Sequence, residues 1–289
     1  MWREHPAREH WKPGPVPSAS RMLAPPFPSL PLIMSLKDKV ILVTGGTSGI
    51  GEACSRHFAE LGARVVIASN QDARGREMET ELRAKGQEVR FVFTDVSDEA
   101  SVRGMVERTV GYYGRIDGVH CNAGVWAKGR VTEFDDAVWN KVMNVNVKSV
   151  FWTARHVVPV MEKQGKGVIV ITTSVAAFVG FPAHALYCAS KAALEALIRC
   201  LAVDHAGVVR VAGICPGTID TPMLAATCEG WDKPVAELYA DVARRIPVRR
   251  LGQPLDIAQA AAFLLSDQAG YVNGTSLVLD GGTMALPPW

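Results

Sequence analysis

Short runs of β-branched and other apolar residues recur along this sequence, each separated from the next by a longer stretch. The runs are Val40 to Val43, Val65 to Ala68, Val89 to Thr94, Gly118 to Cys121, Val168 to Thr172, Val209 to Ile214 and Ser276 to Leu279. Strands that are buried on both faces are uniformly apolar, and helical crossovers make neighbouring strands parallel. The pattern therefore predicts an α/β fold, a doubly wound parallel sheet with helices on both faces.

Six stretches between these runs have the composition of helices: 51 to 61, 73 to 85, 99 to 113, 135 to 162, 185 to 206 and 255 to 265. No internal repeat and no second apolar core is evident, so we expect one domain over residues 34–289. The segment from Pro222 to Arg249 is long for a connection, which is typical of a lid over a substrate site.

The composition disfavours several classes of protein. The 289 residues are 48% hydrophobic and 21% charged with a formal charge of +2, and the excess positive charge lies before residue 34. We therefore expect no nucleic-acid partner. The longest uncharged run, Gly167 to Ser190, is interrupted by polar residues and a proline, which fits a buried strand and a loop better than a membrane helix. Six cysteines without a Cys-x-x-Cys pair indicate reduced thiols and a cytoplasmic protein, and no metal site is expected.

The first 33 residues contain eight prolines and no periodic apolar pattern. Such a composition predicts an unstructured arm. A targeting signal is not expected, because acidic Glu4 and Glu9 are unlike a transit peptide and the apolar stretch broken by Pro31 is too short for a secretory signal. Met34 directly precedes the first predicted strand region, and we expect it to be the biological start.

A glycine-rich turn follows the first strand, with the sequence Thr44-Gly-Gly-Thr-Ser-Gly-Ile-Gly51. Its glycines allow a tight turn and a close backbone approach. The helix that follows presents free N–H groups and the positive end of its dipole to a pyrophosphate. In this strand–turn–helix setting the pattern favours a dinucleotide site over a purely structural turn.

Two further strand ends carry candidate residues. Asp95 follows the third strand, where it could accept a hydrogen bond from an adenine amino group or cap a helix that begins near Ser97. Asn122, Ala123 and Gly124 close the fourth strand. Small and polar residues at such a position border the ligand crevice of a parallel sheet or form a simple turn.

Tyr187 and Lys191 lie four residues apart in a predicted helix. Residues at this spacing share a helix face, so the ammonium should favour ionisation of the phenol. Lowering a tyrosine pKa from about 10 to about 7 requires about 4 kcal/mol, whereas an exposed ion pair supplies at most about 1 kcal/mol. The pair therefore points to a desolvated site with a second positive charge, for which an oxidised nicotinamide ring is the natural source. Alone it would fit a solvated helix face; with Ser174 and the glycine-rich turn it predicts catalysis.

These motifs resemble those of the short-chain dehydrogenase/reductase family in both identity and order. They are Thr44-Gly-x-x-x-Gly-x-Gly51, Asn122-Ala-Gly, Ser174, Tyr187-x-x-x-Lys191 and Pro216-Gly217. The resemblance extends over the chain from Leu36 to the region of Gly282. It implies a Rossmann-type sheet, a nicotinamide cofactor and a homotetramer.

The resemblance also implies a role for each site residue. Tyr187 would be the general acid/base, Ser174 would hydrogen-bond the substrate oxygen, and Lys191 would lower the tyrosine pKa and hold the nicotinamide ribose. Asn146 would anchor a water that relays protons to Lys191, with Asn144 as its competitor for that role. The cofactor-binding residues would be Gly45, Thr47, Ser48, Gly49, Ile50, Gly51, Ser69, Asn70, Asp95, Val96, Asn122, Ala123, Gly124, Tyr187, Lys191, Pro216, Gly217, Ile219 and Thr221.

The end of the second strand bears on the choice between NAD and NADP. An acidic residue there would bind a ribose 2′-hydroxyl and repel a 2′-phosphate, but the sequence has Ser69 and Asn70. Both can hydrogen-bond either ribose, and Arg74 is a more distant candidate for a phosphate. The sequence leaves the cofactor as NAD(P), with NADP slightly favoured.

The predicted function is hydride transfer between NAD(P) and a small-molecule secondary alcohol or ketone. Trp126, Phe178, Phe181 and His184 should face the substrate and make its pocket apolar with one polar group. The alternatives are a 3-oxoacyl thioester reductase of the same family and a non-catalytic NAD(P)-sensing protein. The latter would be expected to lack one of the three catalytic side chains, and all three are present.

Overall fold

Seven parallel strands form a single sheet in the computed structural model, which describes residues 35–228 and 232–286. In chain order they are β1 (Val40–Thr44), β2 (Arg64–Ser69), β3 (Val89–Phe93), β4 (Gly118–Cys121), β5 (Gly167–Thr172), β6 (Val209–Pro216) and β7 (Ser276–Leu279). Their order across the sheet is β3-β2-β1-β4-β5-β6-β7. The predicted doubly wound sheet is confirmed. The proline-rich arm predicted for residues 1–33 lies outside the described part of the chain.

The helices cover both faces of this sheet. They are α1 (Gly49–Glu60), α2 (Asp72–Ala84), α3 (Glu99–Tyr113), α4 (Asp136–Met143), α5 (Ser149–Gln164), α6 (Ala185–Asp204), α7 (Pro222–Thr227), α8 (Val235–Arg245) and α9 (Pro254–Leu265). Residues of α1, α2 and α9 pack on one face, and residues of α3, α5 and α6 on the other. Within the described ranges, no helix has the length and apolarity needed to cross a bilayer.

Strand β1 shows why the apolar runs are uninterrupted. Ile41 and Val43 belong to the core beneath α1, α2 and α9, whereas Leu42 belongs to the core beneath α3, α5 and α6. Successive side chains of a strand point to opposite faces, so a strand that is covered on both sides needs apolar residues at every position.

The single helix predicted over residues 135 to 162 is interrupted. It consists of α4 and α5, joined by a π-helical turn over Asn144–Lys148. Asp135 is the N-cap of α4, and its carboxylate accepts a hydrogen bond from Val138 N at 2.8 Å. π-Helical turns inside α-helices occur often at functional sites, and this one contains Asn146.

The segment from Pro222 to Arg249 is not the plain connection that the sequence suggested. It contains α7 and α8, and residues 229–231 between them, including Trp231, lie outside the described ranges. Leu238 of α8 is buried and therefore helps to fix this helix on the body of the protein.

The strand order reverses direction between β1 and β4. From β1 the chain proceeds outward to β2 and β3, and it then returns to place β4 on the other side of β1. The loops that follow β1 and β4 consequently diverge at the carboxyl edge of the sheet. Such a topological switch point leaves a crevice, which is where ligands bind in open α/β sheets.

Candidate active site

A cleft of about 930 Å³ lies at this edge of the sheet. Its walls are formed by the loops after β1 to β6 together with parts of α4, α6 and α7. The predicted site residues that line it are Gly45, Thr47, Ser48, Gly49, Ile50, Ser69, Asn70, Asp95, Asn122, Ala123, Gly124, Ser174, Tyr187, Lys191, Pro216, Gly217, Ile219 and Thr221. The fold thus brings residues from distant parts of the sequence to one surface.

The glycine-rich turn joins β1 to α1 at the cleft. Gly45 and Gly49 have φ angles of 63° and 52°, in the left-handed region that glycine adopts without strain. A Cβ atom on Gly45 would lie 2.9 Å from Ala123 Cα, so the turn packs directly against the loop after β4. Ser48 is the N-cap of α1, yet its side chain makes no capping hydrogen bond. The first N–H groups of α1 therefore remain available to an anion such as a pyrophosphate.

Three predicted site residues, Gly51, Val96 and Asn146, do not line the cleft. A Cβ atom on Gly51 would overlap the carbonyl oxygen of Gly45 and lie 2.6 Å from Asn122 Nδ2, so this glycine allows α1 to begin close to the strand ends. Val96 packs in the core beneath α3, α5 and α6. Gly51 and Val96 therefore support the residues that line the cleft without lining it themselves.

The end of β2 presents uncharged side chains to the cleft. Ser69 Oγ lies 2.7 Å from Thr47 Oγ1, and the Thr47 hydroxyl also donates to Gln71 Oε1 at 3.0 Å. Arg74, the distant candidate for a phosphate, does not line the cleft. Its guanidinium pairs with Glu52 at 2.5 Å and with a second glutamate at 2.8 Å. A phosphate would have to compete with both carboxylates for this side chain.

Asp95 lines the cleft at the end of β3. Its Oδ1 accepts hydrogen bonds from the backbone N–H (2.9 Å) and the hydroxyl (2.7 Å) of Ser97. Helix α3 begins instead at Glu99, and its N-cap is Asp98, whose carboxylate accepts from two N–H groups of the first turn. The alternative in which Asp95 caps a helix near Ser97 is therefore wrong. Within the described ranges, Asp95 Oδ2 has no protein hydrogen-bond partner.

Ser174, Tyr187 and Lys191 meet on the wall formed by the end of β5 and by α6. Tyr187 and Lys191 are one helical turn apart, and Lys191 Nζ lies 5.7 Å from the centroid of the tyrosine ring. The ammonium is buried and donates a hydrogen bond to the Thr172 carbonyl oxygen at 2.9 Å. Ser174 begins a short 3-10 turn after β5, where its hydroxyl accepts a hydrogen bond from Ala176 N at 3.1 Å and lies beside the Tyr187 phenol.

Burial dominates the ionisation of this pair. It raises the pKa of the Tyr187 phenol, and the neighbouring Ser174 hydroxyl acts in the opposite direction. Burial also lowers the pKa of Lys191 to about 8. The neutral phenol is therefore favoured in the protein alone, which suits proton donation to a carbonyl oxygen. Proton removal from an alcohol requires a further positive charge beside the phenol.

Asn146 connects the loop after β4 to α6. Its Oδ1 accepts from Val125 N at 2.8 Å, and its Nδ2 donates to Val125 O at 2.8 Å and to Ser190 Oγ at 3.0 Å. Ser190 in turn donates to the carbonyl oxygen of Tyr187 at 2.7 Å. The side chain is 1% exposed and makes its hydrogen bonds to protein groups, so it fixes the loop after β4 relative to α6.

The space between Asn146 and Lys191 is kept open by Gly124. A Cβ atom there would lie 3.5 Å from Asn146 Oδ1 and 3.7 Å from Lys191 Nζ, and Gly124 itself lines the cleft. Asn144, the competing candidate, also lines the cleft, and its buried Oδ1 has no hydrogen-bond partner among the residues that the structure describes. The two asparagines therefore differ in kind, since Asn146 is held by the protein and Asn144 faces the cleft.

Aromatic side chains line the cleft beside the catalytic wall. Trp126, Phe181 and His184 do so as predicted, whereas Phe178 does not and is 52% exposed. Several side chains of α7 line the same cleft. Three of the four predicted side chains therefore line the cleft, which Lys128 and Lys141 also line.

Two residues that adjoin Lys191 and the end of β5, Thr172 and His120, were not predicted from the sequence as part of the site. Thr172 Oγ1 lies 2.8 Å from Nε2 of His120, which is fully buried on β4, and the carbonyl oxygen of the same threonine holds Lys191. Burial lowers the pKa of His120 to about 3, so the ring is neutral. The signal for Thr172 was its position at the carboxyl end of β5; nothing in the sequence marks His120 as its neighbour.

Known proteins are similar to this chain over most of its length. The family model described as enoyl-(acyl carrier protein) reductase matches residues 45–284. An uncharacterized oxidoreductase of Thermotoga maritima is 39% identical over 254 residues, which is 88% of this chain and 100% of that protein. Cis-4-hydroxycyclohexanecarboxylate dehydrogenase of Sinomonas cyclohexanicum is 36% identical over 251 residues, 86% of this chain and 98% of that protein.

Solved structures are also similar to it. Levodione reductase superposes with a TM-score of 0.82 at 33% identity, covering 87% of this chain and 99% of that one. A gluconate 5-dehydrogenase from Burkholderia cenocepacia J2315, in complex with NADP and tartrate, has a TM-score of 0.82 at 29% identity and covers 88% of this chain and 98% of its own. Both likenesses extend over nearly the whole of each known structure.

Proposed function

Because this chain belongs to the short-chain dehydrogenase/reductase family and is therefore an NAD(P)-dependent oxidoreductase, we propose that it interconverts a secondary alcohol and a ketone with Tyr187 as the general acid/base. The observation that carries the proposal is the meeting of Ser174, Tyr187 and Lys191 on one wall of the cleft. Relatives named as dehydrogenases and reductases of hydroxyl and keto compounds support this substrate class.

In the direction of ketone reduction, Tyr187 donates its proton to the carbonyl oxygen while Ser174 hydrogen-bonds the same oxygen. The bound nicotinamide supplies the hydride in this direction and accepts it in the other. Burial raises the pKa of the phenol, so Tyr187 is neutral and carries its proton at neutral pH until the substrate binds. Two oriented donors at one oxygen stabilise the negative charge that develops there.

Lys191 replaces the proton that Tyr187 gives up. Its ammonium is buried next to the tyrosine ring and borders the opening at Gly124. A water molecule in that opening would lie between Lys191 Nζ and Asn146, which gives Asn146 the proposed role in the relay. Asn144 remains on the cleft wall and takes no part in it.

The N-terminus of α1 and the glycine-rich turn would hold the pyrophosphate of the cofactor. Asp95, whose Oδ2 has no protein partner among the described residues, would accept a hydrogen bond from the adenine amino group, and Ser69 and Asn70 would contact the ribose. NADP is slightly preferred over NAD because the end of β2 carries Ser69 and Asn70 in place of an acidic residue that would repel a 2′-phosphate. The engagement of Arg74 with two glutamates keeps this preference small.

The same family resemblance and the exposed apolar side chains support a homotetramer in the cytoplasm. Trp139 and Phe151 are each about half exposed on α4 and α5, and Leu277 and Val278 are partly exposed on the edge strand β7. Contact with further copies would cover them. The six cysteines are all free thiols, as in a reducing compartment. The segment from Pro222 to Arg249 serves as the substrate lid, with α7 against the cleft.

The test is a comparison of the wild-type protein with Tyr187→Phe. Binding of NADH and NADPH is followed by fluorescence titration, and turnover is measured with a panel of ketones and secondary alcohols that includes an acetoacetyl thioester. We expect the variant to bind cofactor within about threefold of wild type and to lose at least about a thousandfold in kcat, because general acid–base catalysis and carbonyl polarisation are both removed. Retained turnover in the variant contradicts the role of Tyr187. Wild-type turnover of the thioester alone would favour the 3-oxoacyl alternative.

A further inference from the structure

His184 occupies the first position before helix α6, three residues before Tyr187, and lines the cleft. It is the N-cap residue of α6, but its side chain makes no capping hydrogen bond to the helix. Its Nδ1 instead lies 2.7 Å from the carbonyl oxygen of Pro182. Helix capping therefore does not account for a histidine at this position.

Two aromatic rings set the plane of this imidazole. Trp126 stacks on it with a centroid separation of 5.8 Å and an interplanar angle of 22°. Phe181 meets it edge-on at 6.4 Å and 71°. Stacked and edge-on contacts of this kind are favourable, so together they favour one orientation of the imidazole. The side chain of His184 is therefore pre-oriented.

The backbone around His184 is held by a second loop. Gly129, in the loop after β4, donates its N–H to Ala183 O at 2.8 Å and forms an isolated β-bridge with His184. Ala183 has a φ of 58°, a left-handed conformation that is unfavourable for alanine because of its Cβ atom. Such strain persists only where the surroundings impose it, and residues held in this way cluster at binding sites.

The contact with Pro182 determines the tautomer of the ring. A carbonyl oxygen can only accept, so Nδ1 must carry the hydrogen that it donates. In the neutral ring Nε2 is then an acceptor with a free lone pair. In the described part of the chain no protein group hydrogen-bonds to Nε2 of His184. A ring fixed on three sides thus offers one unused acceptor at the cleft, one helical turn from the catalytic phenol.

We propose that His184 is a specificity-determining residue whose Nε2 accepts a hydrogen bond from a second hydroxyl group of the substrate. The substrate class is then a diol or hydroxyketone whose carbon skeleton packs against Trp126, and this inference rests on the function proposed for the same cleft. A site that is built to hydrogen-bond a hydroxyl discriminates strongly against the analogue that lacks it, because the polar group is left unpaired.

The test measures kcat/KM with NAD(P)⁺ for matched pairs of substrates: the 1,2-cyclohexanediols against cyclohexanol, and 2,3-butanediol against 2-butanol. The proteins are wild type, His184→Phe, His184→Gln and His205→Phe. Phenylalanine keeps a ring that can stack on Trp126 but has no lone pair, and glutamine restores an acceptor. His205 lies at the opposite end of α6, where it contacts Glu162 at the surface, and serves as the matched control.

We expect wild type and the His205 variant to favour the diol of at least one pair by about tenfold or more. His184→Phe should lose that ratio mainly through a higher KM for the diol, and His184→Gln should recover part of it. If wild type shows no preference, or if His184→Phe keeps it, the inference is overturned while the proposed function stands. If wild type turns over none of these alcohols and none of the ketones and thioesters used for Tyr187, the proposed function itself is overturned. Should His184→Phe fail to fold, His184→Gln is compared with His184→Ala: equal diol preferences in the two variants overturn the inference, and a higher preference in His184→Gln supports it.

Discussion

Lys191 should make the stability of this protein rise with pH in the alkaline range. Its side chain is almost fully buried, and burial lowers its pKa from the ordinary 10.5 to about 8. Between these two values the unfolded chain binds a proton that the folded protein has released, so raising the pH favours folding. Integrated from pH 7 to pH 9.5, one such group adds about 2 kcal/mol to the free energy of unfolding.

The perturbation that isolates this contribution is Lys191→Met, which keeps the length of the side chain and removes the titrating amine. Wild type and variant are unfolded with urea at fixed protein concentration and without cofactor, at several values from pH 7 to pH 9.5. Other groups that change their pKa on folding without interacting with Lys191, such as the buried thiol of Cys121, titrate in both proteins and cancel in the difference. We expect the free energy of unfolding of wild type, relative to the variant, to increase by about 2 kcal/mol across this range.

Parallel pH curves for the two proteins would refute the reasoning. They would mean that the ammonium of Lys191 is hydrated in solution or held by a counter-charge, and the desolvated site required for control of the Tyr187 proton would be absent. A difference of the opposite sign would mean that the folded protein binds the lysine proton more tightly than the unfolded chain. Either result removes the electrostatic basis of the proposed relay.

Three further substitutions test individual contacts. Ser69→Asp should weaken NADPH binding at least about tenfold relative to Ser69→Asn in a fluorescence titration. The reason is that a like charge within about 4 Å of a phosphate costs about 1–4 kcal/mol per unit charge. Equal affinities of the two variants would contradict the placement of the ribose. Gly51→Ala should lower the Tm and weaken cofactor binding, because the added Cβ atom overlaps the Gly45 carbonyl and overpacking costs about 1–3 kcal/mol. The control is Gly111→Ala, in an open part of α3, which should be neutral or stabilising. Asn146→Asp should lower the free energy of unfolding by about 2–4 kcal/mol, because a carboxylate oxygen replaces the amide donor that lies 2.8 Å from the Val125 carbonyl oxygen. The urea midpoint of the variant should partly recover at low pH, where the new carboxyl is protonated.

The strands were the most predictable part of the fold. Ile41, Leu42 and Val43 are apolar in succession because alternate side chains enter different cores, and the sequence records that requirement directly. Helix α5 was less predictable. A π-helical turn keeps the helical pattern of the sequence while it changes the direction of the side chains, so residues 135 to 162 predicted one continuous helix.

Some residues of the candidate site could also be predicted from the sequence, and others could not. Turn glycines and residues at strand ends, such as Gly45 and Asp95, could be identified because the carboxyl ends of parallel strands share one edge. The inward packing of Val96 and the engagement of Arg74 by glutamates could not. Both depend on side chains contributed by other elements, which spacing along the chain does not specify.

By itself the sequence determined the class of sheet, and it predicted the edge proposed for the dinucleotide and the candidate catalytic groups. Local spacing suffices for these, because a strand, a glycine turn or one turn of helix is specified by neighbouring residues. Only the tertiary structure decided which groups are desolvated and which are already paired. It placed Thr172 behind Lys191 and fixed His184 against Trp126, since burial and hydrogen bonding arise from contacts between segments that are remote in sequence.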